Sequence, residues 1–423
     1  MSAGTDPVPG SPGRSPGRFA RGAGGAVALA SLTVGGFAIG CTEFVAMGIL
    51  PEVAAEFDPA GYARSHADAV AAMSVFVWGY ALGVVLGAPV LGALSPRFRQ
   101  GRFVAGSLLA MAVLTATMAL MPSFGSVVVL RILAPLPHAS YFGVAAIVAA
   151  GLLGSRHAAR GVAVVLGGLT IANVVGAPVG TWLGQSLGWR VSYLSIAGVF
   201  AVAAVGSAWS LSGHGPDRAP RSPLHRALRP LVSRPLLGTI TVYAFVNAGL
   251  FSVLTFAASI ITTVAGLPVA SVALVMAAMG IGMTVGNYAG GAIADRSWAA
   301  AAAFSALTAV LGFAALAGAV RWPVLVYPGF ALIGATAGSV TPFVQVRLMR
   351  AVPSNPQLGS SMNSLCANAG SVIGGVVASA AIASTGAVLA AVWVGAALTG
   401  SGYLAATIWE RGRATRGGSA AAR

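Results

Sequence analysis

Lysine is absent from this 423-residue chain, and all 24 basic side chains are arginine. A P-loop nucleotide site needs a lysine on the phosphates. The chain therefore cannot supply its own P-loop ATPase, and energy for any work must come from a gradient or from another subunit. The all-arginine usage fits a GC-rich bacterial genome. Charge of either sign is scarce: 8% of residues are charged, against about 25% in a soluble domain. That excludes a large soluble domain. Cysteine is nearly absent too. Cys41 and Cys366 both fall in apolar segments and read as small buried residues, which leaves no disulfide framework. The five histidines show no zinc spacing, so neither a metal nor a cofactor is expected. No cleavable signal is evident, because residues 1–24 are rich in Pro, Gly, Ser and Arg and read as a disordered tail.

What is present is apolar: 57% of the chain is hydrophobic. Twelve stretches are long enough to cross a 30 Å hydrocarbon core at about 1.5 Å per residue. They lie near 25–50, 68–93, 103–121, 125–152, 160–185, 190–212, 236–262, 268–292, 300–320, 323–346, 359–383 and 386–409. The fold class expected is an all-α membrane protein. Glycine is abundant in these stretches. Spacings such as Gly36-x-x-x-Gly40, Gly176-x-x-x-Gly180 and Gly370-x-x-x-Gly374 permit close helix approach.

The net charge of +15 could invite a nucleic-acid reading, but the arginines sit in short loops between apolar spans. That is the positive-inside pattern and not a basic groove, so no nucleic-acid partner is expected. With both termini cytoplasmic, 20 arginines fall inside. Only Arg64, Arg190 and Arg321 fall outside, and Arg131 lies within the fourth span. The longest inner connection, about 213–235, is rich in Arg and Pro and divides six spans from six. It reads as a linker held near an anionic inner leaflet. The expected organisation is a tail (1–24), a six-helix half (25–212), the linker (213–235), a second half (236–409) and a C-terminal tail (410–423). The place is a bacterial plasma membrane, and a monomer is expected.

An internal repeat supports the two halves. Gly87-Ala-Pro-Val-Leu-Gly92-Ala-Leu-Ser-Pro-Arg97 ends the second span, and Gly286-Asn-Tyr-Ala-Gly-Gly291-Ala-Ile-Ala-Asp295-Arg296 ends the eighth. They align without gaps at an offset of 199 residues. Duplicated halves are a transporter architecture.

Glu43 is the most informative residue. It is a lone carboxylate in the apolar run Val27–Leu50. A charge at membrane depth costs about 2.5–3.5 kcal/mol on insertion scales, so it points to function. Glu43 lies about 12 Å inside the outer end of the first span, counted at 1.5 Å per residue, and Arg131 lies at a similar depth in the fourth. Opposite charges at one depth can pair, which lowers the cost of both. Desolvation favours a protonated Glu43 and a nearby Arg131 favours the ionised form, the competition a proton-coupling site needs. Snorkelling of Glu43 to the interface and a static ion pair are the structural alternatives.

These segments resemble the major facilitator superfamily. Gly291-Ala-Ile-Ala-Asp295-Arg296 is similar to its Gly-x-Leu-Ala-Asp-Arg signature between helices eight and nine. Gly92-Ala-Leu-Ser-Pro96-Arg97 is the first-half equivalent, with Pro96 where Asp is usual. Arg131 fits the family's helix-four arginine. Asn173-Val-Val-Gly176-Ala-Pro178-Val-Gly180 is similar to the helix-five motif of exporters, in degenerate form. Cys41-Thr-Glu43-Phe44-Val-Ala-Met-Gly48-Ile-Leu50-Pro51, Leu136-Pro-His138-Ala-Ser-Tyr141-Phe-Gly143 and Gly188-Trp-Arg190 resemble the drug:proton antiporters of the chloramphenicol-resistance and arabinose-efflux branch. The resemblance spans roughly Gly25 to Trp409 and implies two pseudo-symmetric six-helix halves with helices one and four of each half lining a central cavity.

On that footing the gating residues are Gly92, Arg97, Gly291, Asp295 and Arg296. Asp295 would hold one conformation closed by pairing with arginines nearby, and an ordinary tight turn is the bland alternative. Gly176, Pro178 and Gly180 would kink the fifth span at the interface of the halves or simply pack it. Candidate cavity polars are His138, Tyr141, Asn173, Tyr243, Asn247, Gln345, Asn363 and Asn368, with Phe44, Met73 and Phe251 as apolar surface. Any one of them can equally serve helix packing. Few charges with aromatic and amide groups suit a neutral or weakly charged amphiphile. The function expected is proton-coupled efflux of a small molecule such as chloramphenicol, by alternating access. The alternative is export of sugars, nucleosides or another metabolite. An enzyme is disfavoured. The Gly-x-Ser-x-Gly matches at Gly13–Gly17 and Gly184–Gly188 lie in a tail and at a span end, and neither is the strand-to-helix turn of a nucleophile elbow.

Overall fold

In hydrocarbon every backbone N–H and C=O must be satisfied within the chain, and a helix does this locally. The computed structural model describes residues 23–153, 158–211, 234–294, 296–351 and 356–421, and among them there is helix and turn but no strand. Twelve helices are long and apolar enough to span. They are span 1 (Gly24–Gly48), span 2 (His66–Gly92), span 3 (Gln100–Ala119), span 4 (Phe124–Leu153), span 5 (Val164–Leu187) and span 6 (Trp189–Leu211). Then follow span 7 (Leu236–Thr255), span 8 (Ser271–Ala294), span 9 (Trp298–Gly318), span 10 (Pro323–Leu348), span 11 (Met362–Thr385) and span 12 (Ala390–Ile408). An even number of crossings returns both chain ends to one face, here called the termini face; the opposite one is the far face. Residues 212–233, most of the linker, and the tail 1–22 lie outside the described residues, as does Asp295.

The duplication is built into the packing. Gly83 and Gly87 of span 2 lie against the carbonyls of Ile132 and Leu136 in span 4, so closely that a Cβ would collide with them. Gly282 and Gly286 of span 8 lie in the same way against the carbonyls of Ala331 and Ala335 in span 10. All four pairs of positions are related by the 199-residue offset of the sequence repeat. Glycine is required here because helix meets helix backbone to backbone.

The halves differ in how regular these helices are. Span 10 runs through as one helix, Val326–Ala351. Span 4 is broken into Phe124–Leu133 and His138–Leu153. Pro135 and Pro137 fall in the gap and cannot donate backbone hydrogen bonds, so the ladder stops and restarts. Span 5 carries a π-helical turn, Ala172–Gly176, just before Pro178. The missing Pro178 N–H leaves the Val174 carbonyl without its α-helical partner, and a widened turn absorbs the mismatch.

The halves meet where span 2 packs on span 11 and where the π-turn of span 5, with the helix after it, packs on span 8. The far side of this seam is stitched. Ser74 Oγ lies 2.5 Å from Ser379 Oγ, and His66 Nε2 lies 3.5 Å from Ser259 Oγ. Trp78 packs on Gly375, and Gly280 abuts the Asn173 carbonyl. The short helix Ala257–Ser259 of the second half packs on span 1 and on the helix Leu50–Phe57.

Candidate functional site

The first half holds a buried cation. Arg131, at the end of the far-side segment of span 4, is 1% exposed. Its Nε donates to the Phe76 carbonyl at 2.9 Å and one terminal nitrogen donates to the Thr42 carbonyl at 2.8 Å. The guanidinium lies 5.0 Å from the Phe76 ring centroid, 4.8 Å from that of Tyr80 and 5.1 Å from that of Tyr193. Each desolvated cation–π contact is worth up to about 2 kcal/mol. Spans 1, 2 and 6 thus close around the tip of span 4.

Glu43 is the residue after Thr42, and its side chain keeps partial exposure. The first helix ends at Gly48, so Glu43 sits five residues from that end, about 7.5 Å at 1.5 Å per residue. No salt bridge or hydrogen bond joins Glu43 to Arg131 among the described residues. The guanidinium is committed to two carbonyls and three rings, and it grips the backbone of span 1 beside the carboxylate. Beyond the break in span 4, His138 Nδ1 lies 2.9 Å from the Tyr80 hydroxyl, and both groups are buried. Arg131, Tyr80 and His138 form one stacked and hydrogen-bonded column toward the termini face. Tyr80, Phe76 and Tyr193 are absent from the sequence-derived site. They come from two other spans, and nothing local marks them. The break was signalled by Pro135 and Pro137.

The remaining expected residues fall as follows. The Tyr141 hydroxyl donates to the Leu32 carbonyl at 2.7 Å, and Phe44 lies in the packed core. Met73 is half-buried against that core. Tyr243 lies 3.2 Å from the Thr341 hydroxyl, and Asn247 donates to the Tyr243 carbonyl. Phe251 is buried. The Oδ1 atoms of Asn173, Asn363 and Asn368 are buried and find no hydrogen-bond partner among the described residues. Gly176 packs on Cys41 and Gly180 on Val45. The glycine face of span 5 therefore seats on span 1, while the Asn173 carbonyl beside it meets span 8. Gly92 and Gly291 are loosely packed, and Arg97 and Arg296 are exposed. The Gln345 side chain and Asp295 lie outside the described residues.

A clamp on the far face completes the first half. Glu56 accepts from the Trp189 indole at 2.6 Å and from two Arg190 nitrogens at 3.1 and 2.5 Å. Arg190 also donates to the carbonyls of Ala119 and Met121 at 2.8 and 2.9 Å. Gly188, at φ 95°, makes this possible. Only a residue without a Cβ readily adopts that conformation, and it turns span 5 directly into span 6. The signal in the sequence was Gly188-Trp-Arg190 opposite an acid in the first far-side connection.

Comparison with known proteins gives a consistent result. Residues 32–375 match the Major Facilitator Superfamily. The inner membrane transport protein YdhP of Escherichia coli K12 is 31% identical over 84% of this chain and 88% of that relative. A chloramphenicol resistance protein of Streptomyces lividans is 28% identical over 83% of this chain and 88% of its own. Among solved structures, the nucleoside transporter NupG superposes with a TM-score of 0.63 at 13% identity, covering 90% of this chain and 98% of that one. A bacterial homologue of the lysosomal transporter Spinster gives 0.63 at 14% identity, over 91% and 95%. The twelve apolar spans, the paired halves and the family match together place this chain in the Major Facilitator Superfamily, as a multi-pass membrane transporter.

Proposed function

We propose that the chain exports a small amphiphilic molecule, with chloramphenicol as the representative substrate, in exchange for protons. The observation that carries this reading is Glu43. It is a partly exposed carboxylate with no hydrogen bond or salt bridge among the described residues, set in an apolar span beside the carbonyl that Arg131 holds. An antiporter must bind a proton and substrate alternately, and a desolvated carboxylate near a fixed cation can be driven either way by what occupies the cavity. Protonation of Glu43 changes the field in the cavity and favours release; substrate favours deprotonation. The termini are cytoplasmic, as the arginine distribution requires, so the stitched far face is the outer gate. Asp295 and the neighbouring arginines serve the inner gate. The relative named for chloramphenicol resistance supports this substrate class. The test is a panel of antibiotics, chloramphenicol first, applied to a drug-sensitive host that expresses the chain. Protection that depends on Glu43 supports the reading, and no protection by any compound removes it.

A second reading, export of a sugar, a nucleoside or another metabolite, rests on a different observation. Three buried amide oxygens, on Asn173, Asn363 and Asn368, lack donors. Such groups suit a ligand rich in hydroxyls or N–H. Efflux of a radiolabelled nucleoside or pentose from loaded vesicles separates the two.

A further inference from the structure

The connection between spans 1 and 2 holds a second acid that the coupling argument does not use. It folds as two short helices, Leu50–Phe57 and Pro59–Arg64, the latter capped by Asp58, and leads into the first segment of span 2, His66–Met73, capped by Ser65. Glu52 lies in the first turn of the first of these, and its Oε2 is buried with no hydrogen-bond partner. The helix that carries Glu52 is packed by the other half, because Ala257–Ser259 lies on Leu50–Phe57. Beside it His66 reaches across to Ser259 and stacks at 4.5 Å on Tyr62. Opening of the far gate would strip this packing and admit water.

We infer that Glu52 is a second proton-binding site, at the far-face seam between the halves, which holds the gate closed when it carries a proton. An ionised carboxylate buried with an oxygen unpaired costs far more than the neutral acid in the same place. The closed seam therefore selects the neutral form, and the open, hydrated seam tolerates the ion.

The surroundings agree. Burial pushes the Glu52 carboxyl up from the ordinary 4.5 to about 7, and burial first and then a charge on Glu52 raise the Tyr62 phenol. Other ionisable groups on the packed elements are Arg64, His66, Asp68, Asp58 and Glu56, with Glu43 on span 1; Ala257–Ser259 adds none. Glu56 is engaged by Arg190 and Trp189, and Asp58 accepts from Gly61. No cation is hydrogen-bonded to Glu52 among the described residues. The sign follows from linkage. An acid whose closed-state value is raised favours closure fully below its open-state value, and that contribution is lost as pH rises through about 7. A shift from 4.5 to about 7 bounds the change in the closed-to-open ratio at roughly three hundredfold.

The inference does not depend on proton coupling at Glu43, and its test reads the gate and not transport. Spin labels on Ala60→Cys and Val269→Cys, two exposed sites on opposite halves of the far face, report the seam distance in full-length protein in lipid nanodiscs. Cys41 and Cys366 are buried, and single-label controls account for any reaction there. A short distance at pH 5.5 and a growing long-distance population at pH 8.5 are expected. Glu52→Gln or Glu52→Leu should keep the short distance at both, and either variant suffices if the other fails to insert. His66→Gln should leave the pH response in place. An unchanged distance distribution in the parent protein overturns the inference. So does a pH response that survives removal of the Glu52 carboxyl, or one that His66→Gln abolishes.

Discussion

The two halves share one scaffold and fill it differently. The glycine–carbonyl contacts that join span 2 to span 4 recur, 199 residues on, between span 8 and span 10. Under that offset Arg131 corresponds to Phe330, Tyr80 to Met279, Phe76 to Val275 and His138 to Ala337. The first three counterparts are fully buried apolar side chains. A cage for a cation in one half is a hydrophobic plug in the other. Replacing a buried ionic group by well-packed apolar residues is often neutral or stabilising, and the second half shows that this scaffold stands without the charge. The first half keeps it at a cost, together with a broken helix where its partner is continuous. The asymmetry supports the proposal that proton chemistry belongs to the first half.

The comparison can be broken first at Arg131. Arg131→Ala empties the cage, removes the hydrogen bonds to the Phe76 and Thr42 carbonyls and should destabilise the protein by about 3–6 kcal/mol, from two hydrogen bonds to a charged group at about 1.5–3 kcal/mol each. Arg131→Phe, the residue of the other half, should recover much of the thermal stability and none of the uphill export. Recovery of export with Phe would show that the charge is dispensable. Next are the glycines. Gly83→Ala and Gly282→Ala each drive a methyl into a helix backbone and should each cost about 1–3 kcal/mol, the usual toll of overpacking. Thermal unfolding in detergent should give similar losses for both. A large loss in only one half would mean that the scaffolds are not equivalent. The smallest effect is expected at the column. Tyr80→Phe removes the hydroxyl from His138 and should cost about 1 kcal/mol; an unchanged melting temperature would mean that this hydrogen bond contributes nothing.

Much of this scaffold was legible beforehand, and for a definite reason. Twenty-residue apolar runs and a gapless repeat are local signals, and both survived folding. Of the four glycines that meet carbonyls, the repeat contains Gly87 and Gly286, while Gly83 and Gly282 lie just before it. Glu43 and Arg131 stood out because charge in an apolar run needs no partner to be noticed. Their relation was not legible. Arg131 turns to carbonyls and to rings on spans 2 and 6, and which rings face it depends on the rotation of three helices. Glu52 and Glu56 looked alike as acids beside the first far-side connection. One is engaged by Arg190 and the other buries one oxygen that has no hydrogen-bond partner among the described residues, and only the packing of the short helices separates them.

The central claim is that the lone acid of span 1 couples export to protons. The direct measurement is uphill efflux of chloramphenicol from vesicles under an imposed pH gradient, with parent protein and Glu43→Gln at equal insertion. Substrate-induced proton release from the purified proteins serves as companion. The account predicts that Glu43→Gln folds, releases no proton on binding and cannot concentrate substrate. A Glu43→Gln protein that concentrates chloramphenicol as well as its parent would contradict it.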